Sequence, residues 1–193
     1  MKRFYVFILI ALLSSSFVHG QRVDNFMLED VLTGQNFELD KHEDAKAVVL
    51  IFNTLSCPFS KLYENRIIDL YENFKADGFV FAIVNPHFGN DPDENKQAVE
   101  ERFKGRVQGL SILNDGNQNV TKQLQATKLP EVVVITPSPT GFAIAYRGAI
   151  DNNPQVPESA NMRYLVSAIQ SIQNKRNPSP SSSRPVGCNI RMK

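Results

Sequence analysis

A chain of 193 residues with 21 basic and 20 acidic side chains carries a net charge of +1 with its histidines neutral. That balance gives no basic face for nucleic acid and no field for an acidic surface. Two cysteines, Cys57 and Cys188, are too few for a zinc site of four thiolates, and the length fits one domain with a proper core.

The chain opens "MKRFYVFILIALLSSSFVHGQ". Lys2 and Arg3 are followed by an apolar run from Phe4 to Leu13, then by small and mildly polar residues to Gly20. This three-part pattern is that of a secretory signal. The apolar run is about ten residues, half of the roughly 20 needed to cross a bilayer. Export to a periplasmic or extracellular compartment is therefore expected, with residues 1–20 removed and no membrane span afterwards; an N-terminal anchor is the alternative. In an oxidising compartment two cysteines form one disulfide or serve as two working thiols.

Residues 21–175 read as one α/β domain. "AKAVVLIFNT" is a continuous apolar run of strand length, as for a strand covered on both faces. Pro58 opens a helix to Phe74, with Leu62, Ile67, Leu70, Tyr71 and Phe74 near helical spacing and Gly78 behind it. "GFVFAIVNP" is a second buried strand, and "DPDENKQAVEERFKG" a helix capped by Asp91. "GLSILND" is a short strand, "VTKQLQAT" a short helix, and "PEVVVITP" and "GFAIAYRGAI" a strand pair. A closing helix is expected over 159–174, with Met162, Leu165, Val166 and Ile169 on one face. This order predicts a mixed central sheet flanked by helices.

After residue 175 the composition turns to "RNPSPSSSRPVG", which reads as a flexible linker. Residues 176–193 then form a Pro/Ser-rich tail carrying Cys188 beside Gly187. About eleven flexible residues span roughly 18 Å, enough to reach a site on the same domain or on a partner subunit.

Cys57 lies between the strand ending near Thr54 and the helix opening at Pro58, where sites gather in such sheets. A thiol at a helix N-terminus feels the positive end of the dipole, which favours the nucleophilic thiolate. Ser56, Ser60 and Thr54 offer hydroxyls to the sulfur, and Lys61 a positive charge. A buried, inert cysteine is the alternative.

The segments "VVLIFNTLSCPFSKLY", "FVFAIVNP", "LNDGNQNVTKQLQATKLPEVVVITP" and "YRGAID" together resemble the thioredoxin-like redoxins of the alkyl hydroperoxide reductase and thiol-specific antioxidant (AhpC/TSA) group, in particular exported members with a C-terminal Gly-Cys tail. The resemblance implies a thioredoxin-like fold and places Pro130 as a cis-proline facing Cys57. It also implies a resolving role for Cys188, antioxidant or redox-homeostasis chemistry, and no bound cofactor. Two departures matter: Ser60 stands where a second cysteine would complete Cys-x-x-Cys, and Leu50 stands where the peroxidase motif ending at Thr54 and Cys57 carries proline. Arg66 and Arg147 are candidates for the peroxide-stabilising arginine; near Pro130 only Lys128 is basic.

The expected function is thiol–disulfide oxidoreduction on a protein or small-molecule disulfide, with an external thiol as reductant. The alternatives are a peroxiredoxin-like peroxidase and a non-catalytic binding or metal-binding module. No metal site is expected. His87, with the two cysteines, is a weak candidate for a soft metal such as Cu(I). His42 reads as a surface residue, Asp91, Asp93 and Glu94 as a helix-capping cluster, and "NVT" at 119–121 as a glycosylation acceptor in a eukaryotic secretory pathway.

Overall fold

The computed structural model describes residues 21–193, so the expected signal at 1–20 lies outside the described residues. The chain runs β1 (Arg22–Val23), β2 (Met27–Asp30), β3 (Asn36–Glu38), β4 (Ala47–Phe52), α1 (Pro58–Phe74), β5 (Phe79–Asn85), α2 (Lys96–Phe103) and β6 (Ser111–Asn114). It continues through α3 (Asn119–Gln123), β7 (Lys128–Leu129), β8 (Glu131–Ser138), β9 (Gly141–Gly148), α4 (Tyr164–Gln173) and β10 (Cys188–Asn189).

Eight strands form one sheet in the order β1-β9-β8-β4-β5-β6-β2-β3, and β7 and β10 form a separate pair. β4, β5 and β6 run parallel, and β8 lies antiparallel on the other side of β4. This is the expected mixed α/β sheet. All six residues of β4 are buried because both faces are covered. Val49 and Ile51 point into a core shared with Ile67, Leu70, Leu165 and Ile169 of α1 and α4. Val48, Leu50 and Phe52 point into the opposite core, which holds Phe37, Leu39, Leu124 and Cys57. The alternation of strand side chains thus places the cysteine on one defined side of the sheet.

Three expectations are corrected. α1 buries Ser60, Tyr63, Ile67, Leu70 and Tyr71, whereas Leu62 is 47% exposed, a quarter-turn off that stripe. α2 begins at Lys96 and is capped by Asn95, whose Oδ1 accepts the Ala98 N–H at 3.0 Å, not by Asp91. A turn closed by Glu94 N–H to Asp91 O and the buried Glu94 carboxylate hold the preceding residues out of the helix. α4 begins at Tyr164, because Asn152 pairs with Met162 through backbone and side chain and keeps that residue extended and exposed.

The Pro/Ser-rich segment beyond residue 175, read from its composition as a flexible linker, here runs in contact with the domain. Arg147 N–H donates to Ser181 O, and Ser183 N–H donates back to Arg147 O. Ser183 Oγ meets Tyr146 Oη at 2.7 Å and accepts the Ala149 N–H at 3.0 Å. Gly148 has φ +144°, and a Cβ there would collide with the Ser183 carbonyl.

Candidate redox site

Five residues, Asn53–Cys57, connect β4 to α1. Cys57 is the N-cap of α1, in extended conformation, with Pro58 in the first turn, where its missing N–H costs nothing. It is 4% exposed. Its sulfur is bonded to that of Cys188, with the two Cα atoms 6.2 Å apart across 131 residues of sequence. Among the two outcomes the sequence left open for the pair, the structure contains the disulfide, within one chain.

The partner cysteine is delivered by a short ladder. β10 pairs antiparallel with β7, setting Cys188 opposite Leu129, and Ile190 N–H donates to Thr127 O at 2.9 Å. The Leu129–Pro130 bond is cis. Leu129 O lies 3.4 Å from Cys57 Sγ, a contact and not a hydrogen bond, since a disulfide sulfur has no proton to donate. Gly187 passes so close to β7 that a Cβ would overlap the Leu129 carbonyl. Gly187→Ala is therefore expected to weaken tail docking by about 1–3 kcal/mol, the cost of overpacking. The check is the oxidised fraction of the Cys57–Cys188 pair in a glutathione redox buffer.

Beyond Cys188 the tail is latched by polar groups from two loops, β5–α2 and β6–α3. Gln118 Nε2 donates to Arg191 O at 2.8 Å and its Oε1 accepts Lys193 N–H at 2.8 Å. Arg191 pairs with Asp91 at 2.7 Å, and its N–H donates to His87 Nε2 at 3.1 Å. Ile190 is buried in the core beside Cys57. Burial, then the Arg191 charge, holds the His87 pKa below its ordinary 6.5, and a protonated ring could not accept the Arg191 N–H. With the folded value depressed, the contact is intact above pH 6.5 and is lost as the pH falls below it. In a Cys188→Ser protein, amide exchange at Arg191, corrected for its intrinsic pH dependence, should be unchanged above pH 6.5 and accelerate as the pH falls through the lowered His87 value.

The residues expected around the sulfur are distributed differently. Ser60 Oγ accepts the Thr54 N–H at 3.4 Å, and Ser56 Oγ donates to Glu94 at 2.7 Å, so the Ser56 hydroxyl is engaged away from the sulfur. Thr54 Oγ1 is buried without a hydrogen-bond partner among the described residues. Lys61 is exposed and lines a cavity of about 250 Å³ with Ser56, Asp93 and Arg102. Arg66 is committed to buried Asp151 and to the carbonyls of Asn153 and Pro154, and Arg147 to Gln125 and Gln21. Neither arginine bonds to the Cys57 loop. His87 does not share a donor set with the cysteines here: both sulfurs are in the disulfide and Nε2 is occupied. Among the described residues, no group of three or more His, Cys, Asp and Glu could hold a metal ion.

Two carboxylates belong to the site that the sequence does not mark as part of it. Glu94, expected in a helix-capping cluster, is fully buried and accepts from Leu55 N, Ser56 N, Ser56 Oγ and Asn85 Nδ2. Glu131 is 3% exposed and accepts from Thr127 N and Lys128 N, fixing the turn that leads into Pro130. Each clamps one of the two loops that meet at the disulfide. The available signal for Glu131 was an acid at the head of the buried run "EVVVI".

The AhpC/TSA family model matches residues 19–152. The chain belongs to the AhpC/TSA family. A hypothetical protein from Sinorhizobium meliloti superposes with a TM-score of 0.78 at 22% identity, covering 92% of this chain and 96% of that one. The thioredoxin domain of a thiol-disulfide oxidoreductase from Bacteroides vulgatus gives 0.51 at 19% identity, over 69% and 91%. A peroxidoxin from Mycobacterium tuberculosis gives 0.50 at 22%, over 67% and 83%. At such identities these likenesses establish the fold, which is thioredoxin-like. No curated protein matches the chain. The AhpC/TSA protein is thus a thioredoxin-like redoxin with its two cysteines joined.

Proposed function

We propose that this redoxin is an exported thiol–disulfide oxidoreductase in which Cys57 is the nucleophile and Cys188 the resolving thiol. The observation that carries the reading is the Cys57–Cys188 disulfide, formed between a helix N-terminus and a tail that many non-covalent contacts also hold. The tail remains close after reduction, so the second thiol attacks at high effective concentration.

In the reduced protein, Cys57 thiolate attacks one sulfur of a substrate disulfide R–S–S–R′, forming Cys57–S–S–R and releasing R′S⁻. Cys188 thiolate then attacks Cys57 Sγ, closing the Cys57–Cys188 bond and releasing RS⁻. The substrate gains two electrons and the protein dithiol loses two. To start the next cycle an external thiolate must open the bond. Cys188 is half-buried and Cys57 buried, so the accessible target is Cys188 Sγ, with Cys57 leaving as a thiolate favoured by the dipole of α1. A second external thiolate then attacks the outer sulfur of the Cys188 mixed disulfide, forming the external disulfide and releasing Cys188 as a thiolate, so the protein regains the two electrons it gave up. Residues 1–20 are proposed to direct export, residues 21–175 to form the redox domain, and residues 176–193 to serve as its resolving arm.

A peroxidase reading has one observation in its favour, the unpartnered Thr54 hydroxyl three residues before Cys57. Turnover separates the readings. With dithiothreitol as reductant, the protein is expected to accelerate reduction of a fluorogenic peptide disulfide. Sulfenic acid at Cys57 and peroxide consumption without disulfide turnover would favour the peroxidase. Neither activity would leave a binding module.

A further inference from the structure

We propose that Glu94 is the positioning residue that sets the redox poise of the Cys57–Cys188 pair, by holding the loop before Cys57 and by keeping a buried negative charge against it. The inference rests on the thiol–disulfide reading above.

The loop Asn53–Cys57 has no regular partner strand, yet it must present one sulfur to the tail within a narrow geometry. Asn53 N–H goes to Val84 O and Thr54 N–H to Ser60 Oγ, while the N–H groups of Leu55 and Ser56 and the Ser56 hydroxyl go to a single side chain. Glu94 Oε2 accepts from Leu55 N at 3.0 Å and Asn85 Nδ2 at 2.8 Å, while Oε1 accepts from Ser56 N at 2.8 Å and Ser56 Oγ at 2.7 Å. Oε2 faces two obligate donors and Oε1 at least one, the pattern of an acceptor-only carboxylate. Among the described residues no cation bonds to it, and Glu94 is 0% exposed. Asn85 in turn accepts the His87 N–H, so the clamp joins the Cys57 loop to the loop that also receives the tail.

This arrangement has a chemical consequence for the sulfur. A thiolate at Cys57 would seek N–H donors from the preceding loop and from the first turn of α1. Pro58 has none to give, and those of Leu55 and Ser56 are taken by Glu94. A buried negative charge bonded to Ser56, the residue before Cys57, opposes a second negative charge on the sulfur, because the interior screens poorly. The disulfide is neutral and feels no such repulsion. Glu94 therefore favours the oxidised pair over the dithiol, against the pull of the helix dipole, and acts on the reaction through the loop without touching substrate.

The test is equilibration of each protein with the dithiothreitol couple, protein disulfide plus dithiothreitol giving protein dithiol plus oxidised dithiothreitol. The same samples give the Cys57 thiolate titration by alkylation rate. Glu94→Gln removes the charge, and its amide group meets donors. The equilibrium is expected to move about tenfold toward the reduced protein, about 30 mV, with the Cys57 midpoint shifted to lower pH. Glu94→Asp keeps the charge but withdraws it, giving a smaller shift of the same sign, and serves alone should the Gln protein not fold. An unchanged equilibrium and midpoint in a folded variant would overturn the inference while the wild-type exchange stands. If the wild-type pair does not exchange with dithiothreitol at all, the functional reading itself fails.

Discussion

Replacing Cys188 by serine, or reducing the oxidised protein, is expected to lower the unfolding free energy by about 5 kcal/mol, read from the denaturant midpoint at fixed slope. The figure follows from the 131-residue separation that the bond closes in the unfolded chain. It is comparable to the whole stability of a marginal domain. The native state should change little, since Gln118, His87, Asp91 and the β7–β10 ladder hold the tail without the covalent bond. A midpoint indifferent to reductant would mean that the two sulfurs are not joined in the folded protein.

Cys57→Ser is expected to bring turnover of a peptide disulfide down to the rate of reductant alone, because serine at neutral pH supplies no comparable nucleophile. Cys188→Ser should behave differently. Its Cys57 can still attack but cannot be resolved internally, so a mixed disulfide between Cys57 and the substrate thiol should accumulate and be visible by mass spectrometry under acid quench. A substrate adduct trapped on Cys188 in the Cys57→Ser protein, with none on Cys57 in the Cys188→Ser protein, would assign Cys188 the attacking role. That alternative arises from exposure, since Cys57 is buried and Cys188 is half-buried.

The central elements were legible because their signals are strong and local. "AKAVVLIFNT" and "GFVFAIVNP" are apolar throughout, as doubly covered strands must be, and Pro58 marked the helix start that makes Cys57 an N-cap. β1, β2 and β3 were not read, since strands of two to four residues leave no period to detect. The docking of the tail was not legible for another reason. It uses backbone groups and single polar residues far apart in sequence, Asp91, Gln118 and His87 against Arg191, none of which belongs to a pattern. Composition excluded a packed helix in 176–187 but could not say that an irregular segment would find partners. Glu94 and Glu131 failed to stand out because an acid's burial is set by tertiary placement, and "DPDEN" contains three acids of which one goes inside. Arg66 and Arg147 carried the right charge for a peroxide site, but the fold spends their hydrogen bonds elsewhere.

The most direct measurement is a redox titration of the protein. It would be equilibrated across graded ratios of reduced to oxidised dithiothreitol, trapped rapidly, and analysed by peptide mass spectrometry for the Cys57–Cys188 crosslink. The account predicts a single two-electron transition in which the crosslinked peptide disappears and both cysteines become alkylated together. Cysteines that are free or separately capped at every ratio, or a crosslink that no ratio opens in the folded protein, would contradict it.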